Sequence, residues 1–133
     1  MLARADGNGI HPFLRLPPSS SLGRLYTIVT RALGMKLYGD EGKTMALTEY
    51  VENPVDQGIN LVTSNDNTGF LDINWSKVKQ FCVLAQEARN NFSQQASIAA
   101  TLQTILEESL VGLIRMGLHH SQESNLCLAG GVH

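Results

Sequence analysis

A helix-rich α/β or α+β fold follows from three features of this 133-residue sequence. Apolar residues recur at helical spacing over residues 22–33 and again over residues 93–118. Between them, two short β-rich runs, 59–63 and 69–73, flank Ser64-Asn65-Asp66-Asn67-Thr68, a strong turn composition. Near the end, the apolar run Leu126-Cys127-Leu128 meets the pair Gly130-Gly131. A long helix followed by a terminal strand and a glycine turn makes half of an α/β unit.

Length and composition bound the rest. The chain is about one ordinary domain, and its 43% apolar and 17% charged residues suit a soluble globular core. A net charge of −2 gives no electrostatic footprint for nucleic acid and no polybasic patch for a membrane surface. The first residues carry no apolar stretch of the secretory type. Gln103, Glu107, Glu108 and Arg115 interrupt the apolar segment 98–118 and argue against a membrane span. The expectation is a cytoplasmic protein with no nucleic-acid and no membrane partner. Cys82 and Cys127 sit among apolar neighbours without a CxxC partner, so both are expected to be small buried hydrophobes.

Element by element, residues 1–20 hold Gly7, Gly9, Pro12, Pro17, Pro18 and serines from Ser19, and read as a loop or extended arm. Phe13, Leu14 and Leu16 are its candidates for packing. Ser21 caps a helix to about Leu33, with Leu22, Leu25, Ile28, Val29, Ala32 and Leu33 on one face and Gly34 as the C′ residue. Asp40 caps a shorter helix through about Val51, which Pro54 stops. The runs 59–63 and 69–73 form a β-hairpin. Trp75-Ser76 leads into a helix from Lys77 to Arg89. Phe92-Ser93 opens the longest helix, with Gln103 among Ala99, Ala100 and Leu106, where a buried amide needs hydrogen-bond partners.

Candidate chemistry is sparse. Gly42-Lys43-Thr44 is not a Walker A loop, because Leu37 stands where the first glycine must be. Asp40, Glu41 and Lys43 nevertheless fall at a helix start, where backbone N–H groups and a lysine favour an anion. The alternative is a solvated, capped helix end. His11, His119, His120 and His133 show no HxxH, HxxxH or HExxH spacing, and no Cys/His set fits zinc. There is no GxSxG sequence. Gly130-Gly131 permits close approach of backbone to a nucleotide or phosphate.

Several segments taken together carry a specific resemblance. Ser20-Ser21-Leu22-Gly23-Arg24-Leu25-Tyr26-Thr27-Ile28-Val29-Thr30 through Leu33-Gly34 resembles the "SLGrlYsavT…LGf" signature of the NodU/CmcH carbamoyltransferase family. Asp40-Glu41-Gly42-Lys43-Thr44-Met45-Ala46-Leu47 is similar to its "DEGKvMgLa" motif. Ile98-Ala99-Ala100 with Gln103 and Glu107 resembles its "iAaslQ…lE" helix, and Asn125 to Val132 its "nLcLaGGvalN" strand and loop. Order and spacing agree over most of residues 20–133.

The resemblance implies a partial RNase H-like unit of an actin-like or Hsp70-like ATPase fold. It implies carbamoyl phosphate and ATP as substrates, a carbamoyl adenylate, and transfer of the carbamoyl group to a hydroxyl of a small-molecule acceptor. By carry-over, Gly130 and Gly131 approach the nucleotide, while Asp40, Glu41 and Lys43 lie near the substrate or phosphate. The family's iron is held by a paired-histidine motif and a later aspartate, and a separate domain makes the adenylate. Those ligands, the first phosphate loop and the adenylate-forming domain have no counterpart in residues 1–133. Thr44 and Ala46 replace commoner valine-like and glycine residues, and His133 replaces alanine. The expectation is an arm at 1–20 and an incomplete carbamoyltransferase-type domain at 21–133. Such a middle piece is inactive alone, works with the remainder of the enzyme, and tends to self-associate through unfinished edges. The alternative is a non-catalytic nucleotide-binding or interaction module of the same fold. A third possibility, a tRNA threonylcarbamoyl-transfer ATPase, is disfavoured by the "DEGK" and "SLGrlY" matches.

Overall fold

The computed structural model describes residues 1–51, 59–65 and 70–130. They form an α+β arrangement of four α-helices and two antiparallel hairpins. Strands β1 (Leu2–Asp6) and β2 (Gly9–Leu14) pair first. Helices α1 (Leu22–Ala32) and α2 (Glu41–Leu47) follow, then β3 (Val62–Asn65) with β4 (Phe70–Ile73), α3 (Trp75–Glu87) and α4 (Phe92–Ser121). The core is one cluster. Leu25, Val29 and Leu33 of the α1 segment meet Phe81 and Ala85 of α3, Ile98 and Leu102 of α4, and Leu61 and Ile73 of the second hairpin.

The helix ends follow local chemistry. The Ser21 side chain accepts from Arg24 N at 3.2 Å, capping α1. At its other end Gly34 has φ 93°, and two bonds close a Schellman turn, Gly34 N to Arg31 O and Met35 N to Thr30 O. Arg89 seals the same end: its Nε donates to Ala32 O at 2.8 Å, while Gln95 Nε2 donates to Leu33 O. Asn74 caps α3 and Asn91 caps α4 in the same way as Ser21 caps α1.

Several expectations are corrected. Residues 2–14 are no loose arm. Asp6 Oδ1 accepts from Asn8 N at 2.8 Å, closing a two-residue turn at Gly7-Asn8. The register shifts between Leu2 and Ala3, which leaves Phe13 between the paired Pro12 and Leu14. Phe13 stacks on His120 at 4.7 Å, Arg4 pairs with Glu123 at 2.8 Å, and Leu2 packs on Gly117. The hairpin therefore lies along the end of α4. It also explains why α4 runs past Gly117 to Ser121: this glycine makes room for Leu2 instead of ending the helix.

α2 is shorter than expected, giving way at Leu47 to a 3-10 turn over Thr48–Tyr50. β3 starts at Val62, later than expected, because Leu61 is already taken into the core and accepts from Asn74 N. Ser64 and Asn65, expected in the turn, belong to that strand, and the turn positions Asp66 to Thr68, with Gly69 of the second run, lie outside the described residues. The terminal strand is absent among the described residues: Leu126–Gly130 is irregular and exposed. A strand needs an edge to pair with, and β propensity without a ladder partner leaves the chain irregular. Cys127, expected to be buried, is exposed with this segment, whereas Cys82 is half-buried, which pushes its thiol up. α4 is long and apolar enough to cross a membrane by length and composition. Its first half supplies Ile98, Ala99 and Leu102 to the core.

Candidate functional site

The segment from Gly34 to Thr44 brings Asp40, Glu41 and Lys43 together. α1 must reverse into α2 within a few residues, and Gly34 starts the reversal with its left-handed φ. Tyr38 adopts φ 56°, an uncommon region for a side chain of this size, and the residue is 82% exposed. The loop is held from below by Thr44, fully buried, whose hydroxyl lies 3.0 Å from Thr30 Oγ1 and 3.3 Å from Met35 Sδ. Thr44 thus gains partners that an aliphatic residue would not.

Asp40 acts differently from the expectation of a capping side chain. Asp40 stands at the N-cap of α2, yet its side chain does not cap the helix. One oxygen accepts from Lys36 N at 3.0 Å, and the other pairs with Lys43 Nζ at 2.9 Å. Lys43 and the Lys36 amide hold the Asp40 carboxyl below its usual range. Glu41 accepts from the Thr27 hydroxyl at 2.9 Å and from Gly39 N at 2.8 Å. Its own backbone N–H, then Thr27 and Gly39, hold its carboxyl low as well. The Lys43 side chain is 70% exposed. Asp40 takes one of its three donors, so the ammonium retains the capacity to meet an anion.

Beside this loop runs a chain of polar contacts. Tyr26 OH donates to Gln103 Oε1 at 3.0 Å, and Gln103 Nε2 donates to Glu107 Oε1 at 2.7 Å. The half-buried amide expected to need partners has both, one on α1 and one on α4. Burial, then the Glu107 and Glu41 carboxylates, push the Tyr26 phenol up to about 12.

Gly130 is exposed, with φ 134°, a backbone region that residues with a Cβ rarely adopt. Gly131 lies outside the described residues, as does His133. His119 and His120 share the end of α4, where His120 stacks on Phe13. No three His, Cys, Asp or Glu side chains converge as metal ligands among the described residues. The iron implied by the resemblance therefore finds no ligand set in them. A cavity of about 160 Å³ lies between the β3–β4 hairpin and α4, lined by Ile59, Leu61, Leu71, Ile105, Glu108 and Gly112 among others. It contains none of the residues that the sequence nominates, and its volume is below that of common ligand sites.

Two comparisons bear on the chain. Residues 2–133 match the family described as Carbamoyltransferase N-terminus. The chain is also 30% identical over 141 residues to the nodulation protein NolNO of Sinorhizobium fredii, an alignment that takes in 99% of this chain and 20% of that protein. It thus spans about a fifth of the length of that curated relative. No solved structure matches.

Proposed function

The chain belongs to the carbamoyltransferase family defined by that N-terminal domain, and on this premise we propose that it supplies the nucleotide- and phosphate-facing part of a carbamoyl-transfer reaction. The donor is carbamoyl phosphate, activated with ATP as a carbamoyl adenylate, and the acceptor is a hydroxyl of a small molecule. The observation that carries this reading is the family match over residues 2–133. Gly130 supports it, because its backbone conformation favours glycine and a residue without a Cβ lets main-chain N–H groups approach a phosphate. Lys43 supports it through an exposed cation with donors to spare.

Within this reading Gly130 and Gly131 meet the nucleotide, and the Asp40–Glu41–Lys43 segment stands at the phosphate or substrate. The chain acts together with further segments of a longer enzyme. In an assay with carbamoyl phosphate, ATP and a panel of hydroxyl acceptors, the chain alone gives no turnover while binding a carbamoyl-adenylate analogue. Turnover by the chain alone contradicts the dependence on further segments, and failure to bind the analogue contradicts the nucleotide assignment.

A second reading is a non-catalytic module that keeps the framework without the chemistry. It is favoured by one observation: both acids of the Asp40–Lys43 segment are engaged in contacts within the fold. Analogue binding that neither Gly131→Val nor Lys43→Gln weakens would favour it.

A further inference from the structure

Glu41 is the first residue of α2, and its two carboxylate oxygens reach in different directions. Oε1 accepts from Thr27 Oγ1, in the middle of α1, at 2.9 Å. Oε2 accepts from the backbone N–H of Gly39, in the reversing loop, at 2.8 Å. One side chain therefore ties α1, the loop and α2 together. Just before Gly39 in the chain, Tyr38 is held with φ 56°, a conformation that costs energy for a residue with a Cβ and persists only where its surroundings enforce it. After Glu41 in the chain, Lys43 is held by Asp40, whose second oxygen also fixes the loop at Lys36 N. A carboxylate hydrogen bond to a backbone N–H is charge-assisted and stronger than a neutral one, so these two acids add to the Schellman turn and the Thr44 contact in ordering a loop that buries little.

We propose that Glu41 is a positioning residue: it does not touch the anionic ligand, but fixes the Gly34–Asp40 loop and, through it, the place of Lys43. The proposal rests on the reading of Lys43 as the group that meets a phosphate. Both Glu41 oxygens are occupied by donors of the fold, and a carboxylate brought to a phosphate would repel it. Lys43 is the residue of the motif with an exposed charge of the right sign.

Glutamine distinguishes position from charge. In Glu41→Gln the amide oxygen can accept from Gly39 N while the amide NH₂ donates to Thr27 Oγ1, since a threonine hydroxyl both donates and accepts. In Glu41→Ala both ties are lost. The experiment measures amide exchange at Gly39 and Tyr38 by NMR, and ATP binding by calorimetry, in the wild-type chain and in Glu41→Ala, Glu41→Gln and Lys43→Gln.

Glu41→Ala is expected to speed Gly39 exchange about tenfold and to weaken ATP by a similar factor. Glu41→Gln restores both to within about twofold of wild type. Lys43→Gln weakens ATP and leaves Gly39 exchange unchanged. Glu41→Gln as defective in ATP binding as Glu41→Ala, with Gly39 still protected, overturns the proposal, because the charge itself would then matter at the ligand. Unchanged Gly39 exchange in Glu41→Ala overturns it too. If the wild-type chain binds no ATP, the nucleotide reading fails and the exchange pattern alone decides the role of Glu41.

Discussion

Tyr26 illustrates how one side chain joins two helices without a functional group being left over. Its ring is buried in the core while its hydroxyl reaches Gln103 on α4. Removing the hydroxyl in Tyr26→Phe leaves Gln103 Oε1 without its donor, and a loss of about 1 kcal/mol is expected from the urea midpoint. The phenol also sets a pH dependence. Its pKa in the fold, about 12, lies above the ordinary tyrosine value, so the fold favours the protonated form. That contribution is complete below the unfolded pKa, near 10, and is lost as pH rises through the folded one. Stability followed by circular dichroism should fall above about pH 10 in wild type, and less steeply in Tyr26→Phe. Glu41 has the opposite sign. Its folded pKa is depressed, so its contribution is present above the ordinary glutamate pKa and is lost as pH falls through the lower value. Gly39 amide protection should therefore survive acidification through the ordinary glutamate range and disappear only below it, which an NMR titration will show.

Among elements, the β1–β2 hairpin and the end of α4 depend on each other, and two glycines of one helix separate packing from propensity. A Cβ on Gly117 would stand 3.2 Å from Leu2 Cδ1, whereas one on Gly112 meets nothing within 4 Å. Gly112→Ala should stabilise the chain by about 0.5–1 kcal/mol, the helix-propensity gain. Gly117→Val should destabilise it by about 1–3 kcal/mol, the usual cost of overpacking, and speed amide exchange in residues 2–14. Denaturant melts of the two variants check both signs. The helices were legible from their apolar periodicity, and the Ser21 cap of α1 could be read directly, whereas the Asn74 and Asn91 caps of α3 and α4 emerge only in the structure and Asp40 does not cap α2. The first hairpin was harder to see. Gly7-Asn8 is a sound turn, but Pro12 argues against a strand, and only the two-stranded edge position makes it tolerable. The helical spacing stopped at 118, short of Ser121, and nothing local shows that Leu2, far away in sequence, packs on Gly117 of the extended helix. Leu126–Ala129 has the composition of a strand and no ladder among the described residues, since pairing is a property of two segments.

For the whole molecule, stability rests on one small cluster in which Phe81 of α3 is fully buried together with residues of α1 and α4. Phe81→Ala should cost about 3–5 kcal/mol, enough to unfold a domain of ordinary stability, and thermal melts will show the loss. Leu126 and Leu128, 49% and 55% exposed, face no apolar partner of comparable size in that cluster. The candidate site was legible to different degrees. The Asp40-Glu41-Gly42-Lys43 string marked the place where loop, helix start and cation meet. It did not show that both acids bond to groups of the fold, because that depends on Thr27 and on backbone amides whose direction is set only when the loop closes. Gly130 has φ 134°, an angle that its place in the sequence alone did not show. The proposed binding of the nucleotide of a carbamoyl-transfer reaction at the glycine turn is open to a calorimetric titration of the chain with ATP, in wild type and in Gly131→Val. Measurable binding in wild type, weakened at least about tenfold by the valine, a loss of about 1.4 kcal/mol, is the predicted result. No binding, or binding that the valine leaves unchanged, would contradict it.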